Sequence, residues 1–376
     1  MSQALQLCHR MTFDSIGLKS FLKSLRNAIE TCSEYDIIPH IDEGDHKSLS
    51  VCDDAFGICK CTTTIVFGEY ESNTSEPVSD DLLNYLLLVS PNTTTFWNFK
   101  RKALLNNELS VEPELRFTQL ILNKYPRSYE TIFHRQWIIH RYNYLNDHKF
   151  LLSELELCDK FADKYRCNYG LWQYRRFLLL HQQNPEIYKI ELDNLNVWLA
   201  KHPTDISGWS YLESVLDGLV SQSMVVALSP MLDDQKLLLE NSTRIIQSYF
   251  EKVHDILELY PERECVWMFR RRLITFWIQL NQHQSPYNSN ESILKLLNQV
   301  EPLLPKTLDI ITQLKSSKIC FTRFSFNEFL NWSYKNNLCK EPSSSTLKWT
   351  DLLYWRYLFW LSEYLMSSLK KLELIG

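Results

Sequence analysis

The chain has 376 residues, 45% of them hydrophobic and 23% charged, so it carries enough apolar side chain for a large folded core and is not a disordered protein. Its net charge of −5 gives no indication of a nucleic-acid-binding surface. Eight glycines, about 2% of the chain against a usual ~7%, leave little room for tight hairpins, and neither glycine-rich phosphate-binding motif is present.

Residues 1–36 are predicted to form an N-terminal helical cap, because Leu18, Phe21, Leu22 and Leu25 make one apolar stripe at helical spacing. No segment has the apolar core of a signal peptide or the roughly 18 consecutive apolar residues of a transmembrane helix. We therefore expect a cytoplasmic protein without a transmembrane segment, in which the ten cysteines are reduced thiols.

Residues 37–80 are predicted to be a mixed, polar region of loops with some extended structure. The region contains five possible metal ligands: Cys52, Cys59 and Cys61, with His40 or His46. Their spacing is irregular, whereas zinc sites prefer pairs of cysteines two to four residues apart, so we predict no metal site. The favoured interpretation is a loop or a pair of strands that includes "TTTIVFGEYE", and an enzyme built on the cysteine cluster is a third hypothesis for function.

Residues 81–285 contain one pattern five times, and we number its positions from an anchor residue. The anchors are Trp97, Ile132, Trp172, Trp209 and Trp267. They are 35, 40, 37 and 58 residues apart, and the long last gap indicates an insertion. Position −6 is occupied by Pro91, Pro126, Arg166, Pro203 and Pro261. Positions +3 and +4 are mostly basic: Lys100, Arg101, Arg135, Arg175, Arg176, Arg270 and Arg271, whereas the fourth copy has Leu212 and Glu213.

A period of 35 to 40 residues is typical of a solenoid whose unit is a pair of helices. Proline at −6 ends the preceding helix, and Ser128 or Asn168 at −4 caps the next one. A second amphipathic segment, such as "FLLSELELCDKFADKY", lies between anchors. We therefore predict an all-α fold, a right-handed α–α superhelix (solenoid) of helical hairpins that resembles a tetratricopeptide crescent.

The repeated residues are predicted to be structural. An arginine stacks on an indole face and has donors left for helix-end carbonyls, which would hold one hairpin against the next. The residues assigned to this role are Trp97, Arg101, Arg135, Trp172, Arg175, Arg176, Trp209, Trp267, Arg270 and Arg271. His134 and His140 are interpreted as packing or surface histidines, because a spacing of six places them on different helix faces.

Residues 286–376 are predicted to form C-terminal helices after a linker at "NQHQSPYNSNES". The tryptophan-rich end, "TLKWTDLLYWRYLFWLSEYLMSSLKKL", is predicted to be a final amphipathic helix. Because the last repeat of a solenoid would otherwise leave its apolar face open, we expect this helix to cover it.

The pattern P-x-N-Y-x-x-W-x-x-R-R-x-L-L resembles the repeat of protein prenyltransferase α subunits. The match is best at Asn168, Tyr169, Trp172, Arg175 and Arg176. It extends through "SPNTTTFWNFKRKAL", "YPRSYETIFHRQW", "RCNYGLWQYRR", "DISGWSYLESVL" and "YPERECVWMFRRR". The resemblance implies a subunit of helical hairpins that wraps around a β subunit, and that β subunit is an α–α barrel carrying zinc and the isoprenoid pocket.

The run of segments resembles one branch of the family, and that branch is similar to the α subunit of type III geranylgeranyltransferase. The resemblance implies a non-catalytic α subunit of a heterodimeric protein geranylgeranyltransferase, which helps select proteins for prenylation of C-terminal cysteines. The implied partner is the Rab geranylgeranyltransferase β subunit, and the implied protein substrates are a SNARE or an F-box protein. Zinc and geranylgeranyl diphosphate are expected on the β partner, with no cofactor, metal or catalytic residue in this chain.

The sequence departs from the family at one position. Farnesyltransferase α subunits have a lysine before the Asn-Tyr pair that reaches the diphosphate, whereas Cys167 stands here, with Arg166 one residue earlier. We therefore expect this chain to add little directly to the chemistry. Arg166, Asn168 and Tyr169 are possible residues of a cavity shared with the β subunit, and the alternative is a helix cap and a packing tyrosine.

A free-standing helical-repeat scaffold that binds other proteins is the alternative function. It shares the hairpin architecture with the prenyltransferase subunit. The W-x-x-R-R motif favours the subunit, because ordinary tetratricopeptide repeats carry small residues instead.

Overall fold

A computed structural model of the chain describes residues 15–39, 48–72, 78–180, 182, 185–227, 233–282, 294–295, 297–316, 325–336, 338 and 348–370. Two compact units make up the chain, Met1–Gln182 and Gln183–Gly376. His40, His46 and most of the predicted linker lie outside the described residues.

The first unit begins with a small α/β region. Its elements are α1 (Ser15–Thr31), β1 (Glu34–Ile38), β2 (Leu49–Cys52), β3 (Ala55–Cys59) and α2 (Cys61–Ser72). The strands form a sheet in the order β1-β3-β2, with β1 parallel and β2 antiparallel to β3. The apolar stripe of α1 is buried, and Tyr35 of β1 stacks on Phe56 of β3 with ring centroids 5.6 Å apart.

This region differs from the prediction for residues 37–80 in two respects. The extended structure is an ordered three-stranded sheet, and "TTTIVFGEYE" lies in helix α2 rather than in a strand. Tertiary contacts outweigh the strand preference of the β-branched residues, because Val66 is buried and Thr62 donates to the Cys59 carbonyl at 2.7 Å.

Three helical hairpins complete the first unit. Their helices are α3 (Asp80–Val89) and α4 (Thr94–Leu105), α5 (Val111–Lys124) and α6 (Tyr129–Arg141), and α7 (His148–Lys164) and α8 (Tyr169–Leu180). The second helix of each pair carries the anchor, and α4 packs against α6, which in turn packs against α8. A 3₁₀ turn at Tyr144–Asn146 precedes α7.

The second unit contains two more hairpins and a C-terminal group of helices. The hairpins are α9 (Pro185–Lys201) with α10 (Ile206–Ala227) and α11 (Asp233–Leu259) with α12 (Glu264–Gln282). The insertion between the last two anchors lengthens α10 and α11 to 22 and 27 residues. The C-terminal helices are α13 (Leu304–Ser316), α14 (Phe326–Lys335) and α15 (Trp349–Lys370), and α15 packs against α12, α13 and α14.

The predicted all-α fold of stacked helical hairpins is confirmed, with the small sheet as an addition to it. All five anchor helices begin three residues before their anchor. In each of the four copies with proline at −6, the preceding helix ends two residues before that proline. The local signals in the repeat therefore set where each hairpin turns.

Candidate partner-binding face of the repeats

Three of the tryptophan anchors are tied to their own repeat by the indole nitrogen. In three copies the indole N–H donates to the carbonyl of the proline at −6: Trp97 to Pro91 at 2.8 Å, Trp209 to Pro203 at 2.9 Å and Trp267 to Pro261 at 2.9 Å. All four tryptophan anchors are buried. Each of these three indoles thus closes the turn between the two helices of its hairpin, which explains the fixed spacing of proline and tryptophan.

The residue at −4 connects one repeat to the repeat before it. Asn168 Nδ2 donates to the Pro126 carbonyl at 2.6 Å, and Ser128 Oγ donates to the Pro91 carbonyl at 3.3 Å. Asn168 Oδ1 also accepts the backbone N–H of Leu171 at 3.4 Å, as a helix cap does. The structure therefore favours the helix-cap alternative for Asn168, because the side chain is 3% exposed and both its amide nitrogen and its amide oxygen bond inside the chain.

The basic residue at +3 is buried and forms an ion pair. Its partners are carboxylates on neighbouring segments: Lys100 with Asp80 and Glu114, Arg135 with Glu154, Arg175 with Asp159, and Arg270 with Glu301. Stacking on the indole of the same repeat is seen for Arg175, whose guanidinium carbon is 5.5 Å from the centre of the Trp172 ring. The predicted structural role of these bases thus has a different physical basis, because charge pairing to a neighbouring segment accompanies or replaces stacking.

Arginines at +4 are only partly buried. Arg101 donates to Asn98 Oδ1 at 2.7 Å and lies 5.6 Å from the centre of the Phe133 ring. Arg271 donates to the Arg356 carbonyl at 3.3 Å and lies over the Trp360 ring. Arg176 is likewise half-buried.

One buried cluster joins the first two repeats electrostatically. Glu114 lies 3.1 Å from the Lys100 ammonium and 3.0 Å from His134 Nε2. Burial raises the pKa of the Glu114 carboxyl, but its two basic neighbours outweigh this and hold the pKa at about 2. Burial also lowers the pKa of His134, so we assign a neutral ring that donates from Nε2. The His134 ring packs against Trp97 with centroids 4.5 Å apart and planes tilted by 32°, which fits its interpretation as a packing histidine, and His140 is exposed.

A set of large apolar side chains remains exposed at positions −3 and +1, which are neighbours on one helix face. The set consists of Tyr129, Phe133 and Tyr169 in the first unit, which we call the exposed face, and of Ile206 and Met268 at the same repeat positions in the second unit. Between 45% and 68% of each side chain is exposed. The rings of Tyr129 and Phe133 stack 6.5 Å apart. Apolar side chains left in water at the same two repeat positions are typical of a surface that binds a protein partner.

The predicted cavity residues Arg166 and Tyr169 are exposed, as is Cys167, whose backbone lies in the left-handed region with φ 53°. Sequence reasoning missed Arg127, which stands five residues before anchor Ile132 and so occupies the same repeat position as Cys167. Its guanidinium is exposed, donates to the Arg166 carbonyl at 3.4 Å and lies 4.8 Å from the centre of the Tyr165 ring. Comparing position −5 across all copies would have found it.

The cysteines of the sheet region do not come together as three ligands. Cys59 and Cys61 are buried with their sulfurs 2.9 Å apart, whereas exposed Cys52 pairs with Ala55 at the opposite end of β3 from Cys59. Within the described ranges no group of three or more histidine, cysteine or acidic side chains is placed to hold a metal ion. Among the helices described, none combines the length and the hydropathy needed to span a membrane.

Known proteins share the repeat. Residues 151–182, which comprise most of α7 and all of α8, match the family model "Protein prenyltransferase alpha subunit repeat". The chain is 26% identical over 262 residues to "Protein prenyltransferase alpha subunit repeat-containing protein 1" of Danio rerio, covering 61% of each chain. It is 27% identical over 240 residues to the Homo sapiens protein of that name, covering 54% of this chain and 60% of the other.

A further relative is "Geranylgeranyl transferase type-2 subunit alpha" of Candida albicans, 25% identical over 269 residues and covering 62% of this chain and 72% of the other. The chain spans about three fifths of the length of the first two relatives. The predicted resemblance is confirmed: the chain contains a protein prenyltransferase alpha subunit repeat and is similar to proteins that are named for it.

Proposed function

We propose that the chain is the α-like, non-catalytic subunit of a heterodimeric protein geranylgeranyltransferase of the type III kind. The observation that carries the proposal is the exposed face. The other repeat residues already have partners inside the chain: tryptophan anchors donate hydrogen bonds to proline carbonyls, and the bases at +3 form ion pairs with carboxylates. Tyr129, Phe133 and Tyr169 are thus left for an external surface, and a β subunit would supply one.

The proposal divides the work between two chains. The β subunit holds zinc and geranylgeranyl diphosphate, and the repeats bind that subunit and help choose the protein whose C-terminal cysteine is modified. The partner we propose is the Rab geranylgeranyltransferase β subunit, acting in the cytoplasm on substrates such as a SNARE or an F-box protein. The support comes from similarity to geranylgeranyl transferase type-2 alpha subunits and to the repeat-containing proteins.

Arg127 is our proposed substitute for the family lysine. It is an exposed cation at the repeat position of Cys167, and it stands two residues before Tyr129 of the exposed face. A guanidinium donates several hydrogen bonds to phosphate oxygens, whereas a thiol has no positive charge to offer. In this proposal the otherwise non-catalytic chain contributes one side chain to the reaction: Arg127 adds charge beside a diphosphate held by the β subunit, and Arg166 is the alternative cation.

Co-expression with a Rab geranylgeranyltransferase β subunit tests the proposal. Size-exclusion chromatography should show a one-to-one heterodimer, and this heterodimer should transfer labelled geranylgeranyl to a protein ending in cysteine. Added chelator should abolish transfer without separating the subunits, because zinc belongs to the reaction centre on the β subunit. A stable monomer that ignores every β subunit would support the free-standing scaffold instead.

Two substitutions test the exposed face itself. Tyr129→Ser and Phe133→Ser should weaken the heterodimer while leaving the helical content of the chain unchanged, because both side chains are exposed. Leu105→Ser is the matched control, since Leu105 is 51% exposed at the end of α4 and does not belong to the exposed face. Equal effects of all three variants would contradict the assignment of this surface.

A further inference from the structure

The second unit contains a cleft of about 340 Å³ between the first turns of α10 and α12. Its floor consists of Trp209 and Phe269, which are buried and lie 5.2 Å apart between ring centroids. The Trp209 N–H is already bonded to the Pro203 carbonyl at 2.9 Å, so the indole offers the cleft an apolar face and no donor. The floor is therefore buried and apolar before anything binds.

The two edges of the cleft are exposed apolar side chains of the second unit. Ile206 on α10 is 65% exposed, and Met268 on α12 is 54% exposed. The volume equals that of about ten water molecules, which suits one or two bulky side chains and is small for a cofactor. An apolar side chain entering the cleft would contact both edges and the aromatic floor.

The charged residues that line the cleft are both carboxylates, Glu213 on α10 and Glu264 on α12. Glu213 lies 3.3 Å from Arg272, which it shares with Asp217, and 44% of its side chain stays exposed. Glu264 is 3.9 Å from Arg356 and is 53% exposed. Position +4 is basic or neutral in the other four copies, so the fourth copy alone places an acid there. The cleft thus pairs an apolar floor with an acidic rim.

We infer that this cleft binds a bulky apolar side chain flanked by lysine or arginine, presented by the C-terminal tail of the protein substrate. The inference rests on the proposed function. Tails that are prenylated commonly carry basic residues upstream of the modified cysteine, and these complement Glu213 and Glu264. The cleft would then add affinity at a distance from the reacting cysteine and select substrates by the sequence of their tails.

The test measures binding of short fluorescent peptides to the full chain by anisotropy. A Lys-Lys-Leu-Lys-Lys peptide should bind about tenfold more tightly than Glu-Glu-Leu-Glu-Glu, which lacks the charge, or Lys-Lys-Ser-Lys-Lys, which lacks the apolar side chain. Met268→Ser should reduce binding about fivefold, as should the double variant Glu213→Gln/Glu264→Gln. The matched controls are Val197→Ser, 60% exposed on α9, and Glu251→Gln/Glu258→Gln on α11, and these should bind as wild type does.

A chemical footprint locates the peptide. Cys265 lines the cleft and is partly exposed, so iodoacetamide labelling followed by mass spectrometry should show protection by the Lys-Lys-Leu-Lys-Lys peptide. Exposed Cys52 and Cys167 serve as internal references whose labelling should not change. In the heterodimer, the cleft variants should raise the KM for a substrate with a basic tail and leave kcat unchanged.

Three results would overturn the inference. Equal binding of the three peptides would remove the charge and apolar requirements, and unchanged labelling of Cys265 would place the peptide elsewhere. Loss of the heterodimer in Met268→Ser would mean that the β subunit covers the cleft. Failure of the wild-type chain to pair with any β subunit would instead contradict the proposed function, and peptide binding to the chain alone would still decide whether the cleft has this specificity.

Discussion

The buried base at +3 makes the strongest stability prediction, and Arg135→Met is the variant that tests it. Arg135 is 3% exposed, and its Nε donates to Glu154 at 2.8 Å while Nη2 donates to the other carboxylate oxygen. Nη1 donates to the Leu115 carbonyl at 2.5 Å and to Thr118 Oγ1 at 2.7 Å. One guanidinium therefore joins three segments of two adjacent hairpins.

The magnitude follows from what the substitution leaves behind. In Arg135→Met, the Glu154 carboxylate stays 2% exposed and loses both guanidinium bonds, while it still accepts a hydrogen bond from the Tyr174 hydroxyl at 2.5 Å. An isolated buried charge costs about 3–5 kcal/mol when its partner is removed. This is a large part of the ~5–15 kcal/mol that stabilises a typical folded protein, so the first unit should unfold at markedly lower urea.

Urea unfolding followed by circular dichroism measures the effect, and two further variants make it interpretable. Arg101→Met is the control and should cost less than ~1 kcal/mol. Arg101 stands at position +4 of the first repeat, is partly exposed and donates its hydrogen bond to an exposed asparagine. The double variant Arg135→Met/Glu154→Met removes both charges and should be more stable than Arg135→Met alone.

Two outcomes would refute this reasoning. A cost of less than ~1 kcal/mol for Arg135→Met would show that the ion pair is not a structural link between hairpins. A double variant that is no more stable than Arg135→Met would show that the cost comes from lost packing and not from a stranded charge.

Four other changes should have measurable effects. In the folded chain the Glu114 pKa is held at about 2, below its unfolded value, so the stabilisation that the ionised carboxylate provides is present above about pH 4.5 and is lost as pH falls through 2. Over that range the unfolding free energy of wild type should fall by about 3 kcal/mol more than that of Glu114→Gln. Parallel curves of unfolding free energy against pH would contradict this. Trp172→Ala should cost about 3–5 kcal/mol and leave the choice of isoprenoid unchanged, and a variant of wild-type stability with altered lipid preference would count against the structural role. Asn168→Ala should cost about 1–3 kcal/mol, because it removes a helix cap and leaves a buried carbonyl without its side-chain donor, which thermal unfolding measures. In the reconstituted heterodimer, Arg127→Ala should lower kcat about tenfold or more while Cys167→Ala should not, and equal rates would exclude Arg127 as the diphosphate cation.

The anchors and their helices were predictable because their signals are local. Proline ends a helix through its own ring, and a tryptophan six residues later reaches back to that same turn, as Trp97 and Trp209 do. The exposed face was not recognised from the sequence, since an apolar residue at −3 or +1 has no local mark that distinguishes it from a core residue. Tyr169 and Met268 are exposed only because nothing else in the described chain packs over them.

The hairpin period, the starts of the anchor helices and the structural character of the tryptophan positions were determined by the sequence alone, because each depends on residues within a single repeat. Tertiary structure decided where the charges and caps are directed. The carboxylates that pair with Lys100, Arg135 and Arg270 lie 14, 19 and 31 residues away, and the carbonyl that Asn168 reaches lies 42 residues upstream. No fixed sequence spacing predicts such partners. They meet only when one hairpin stacks on another, and the polar groups on both sides are then removed from water together.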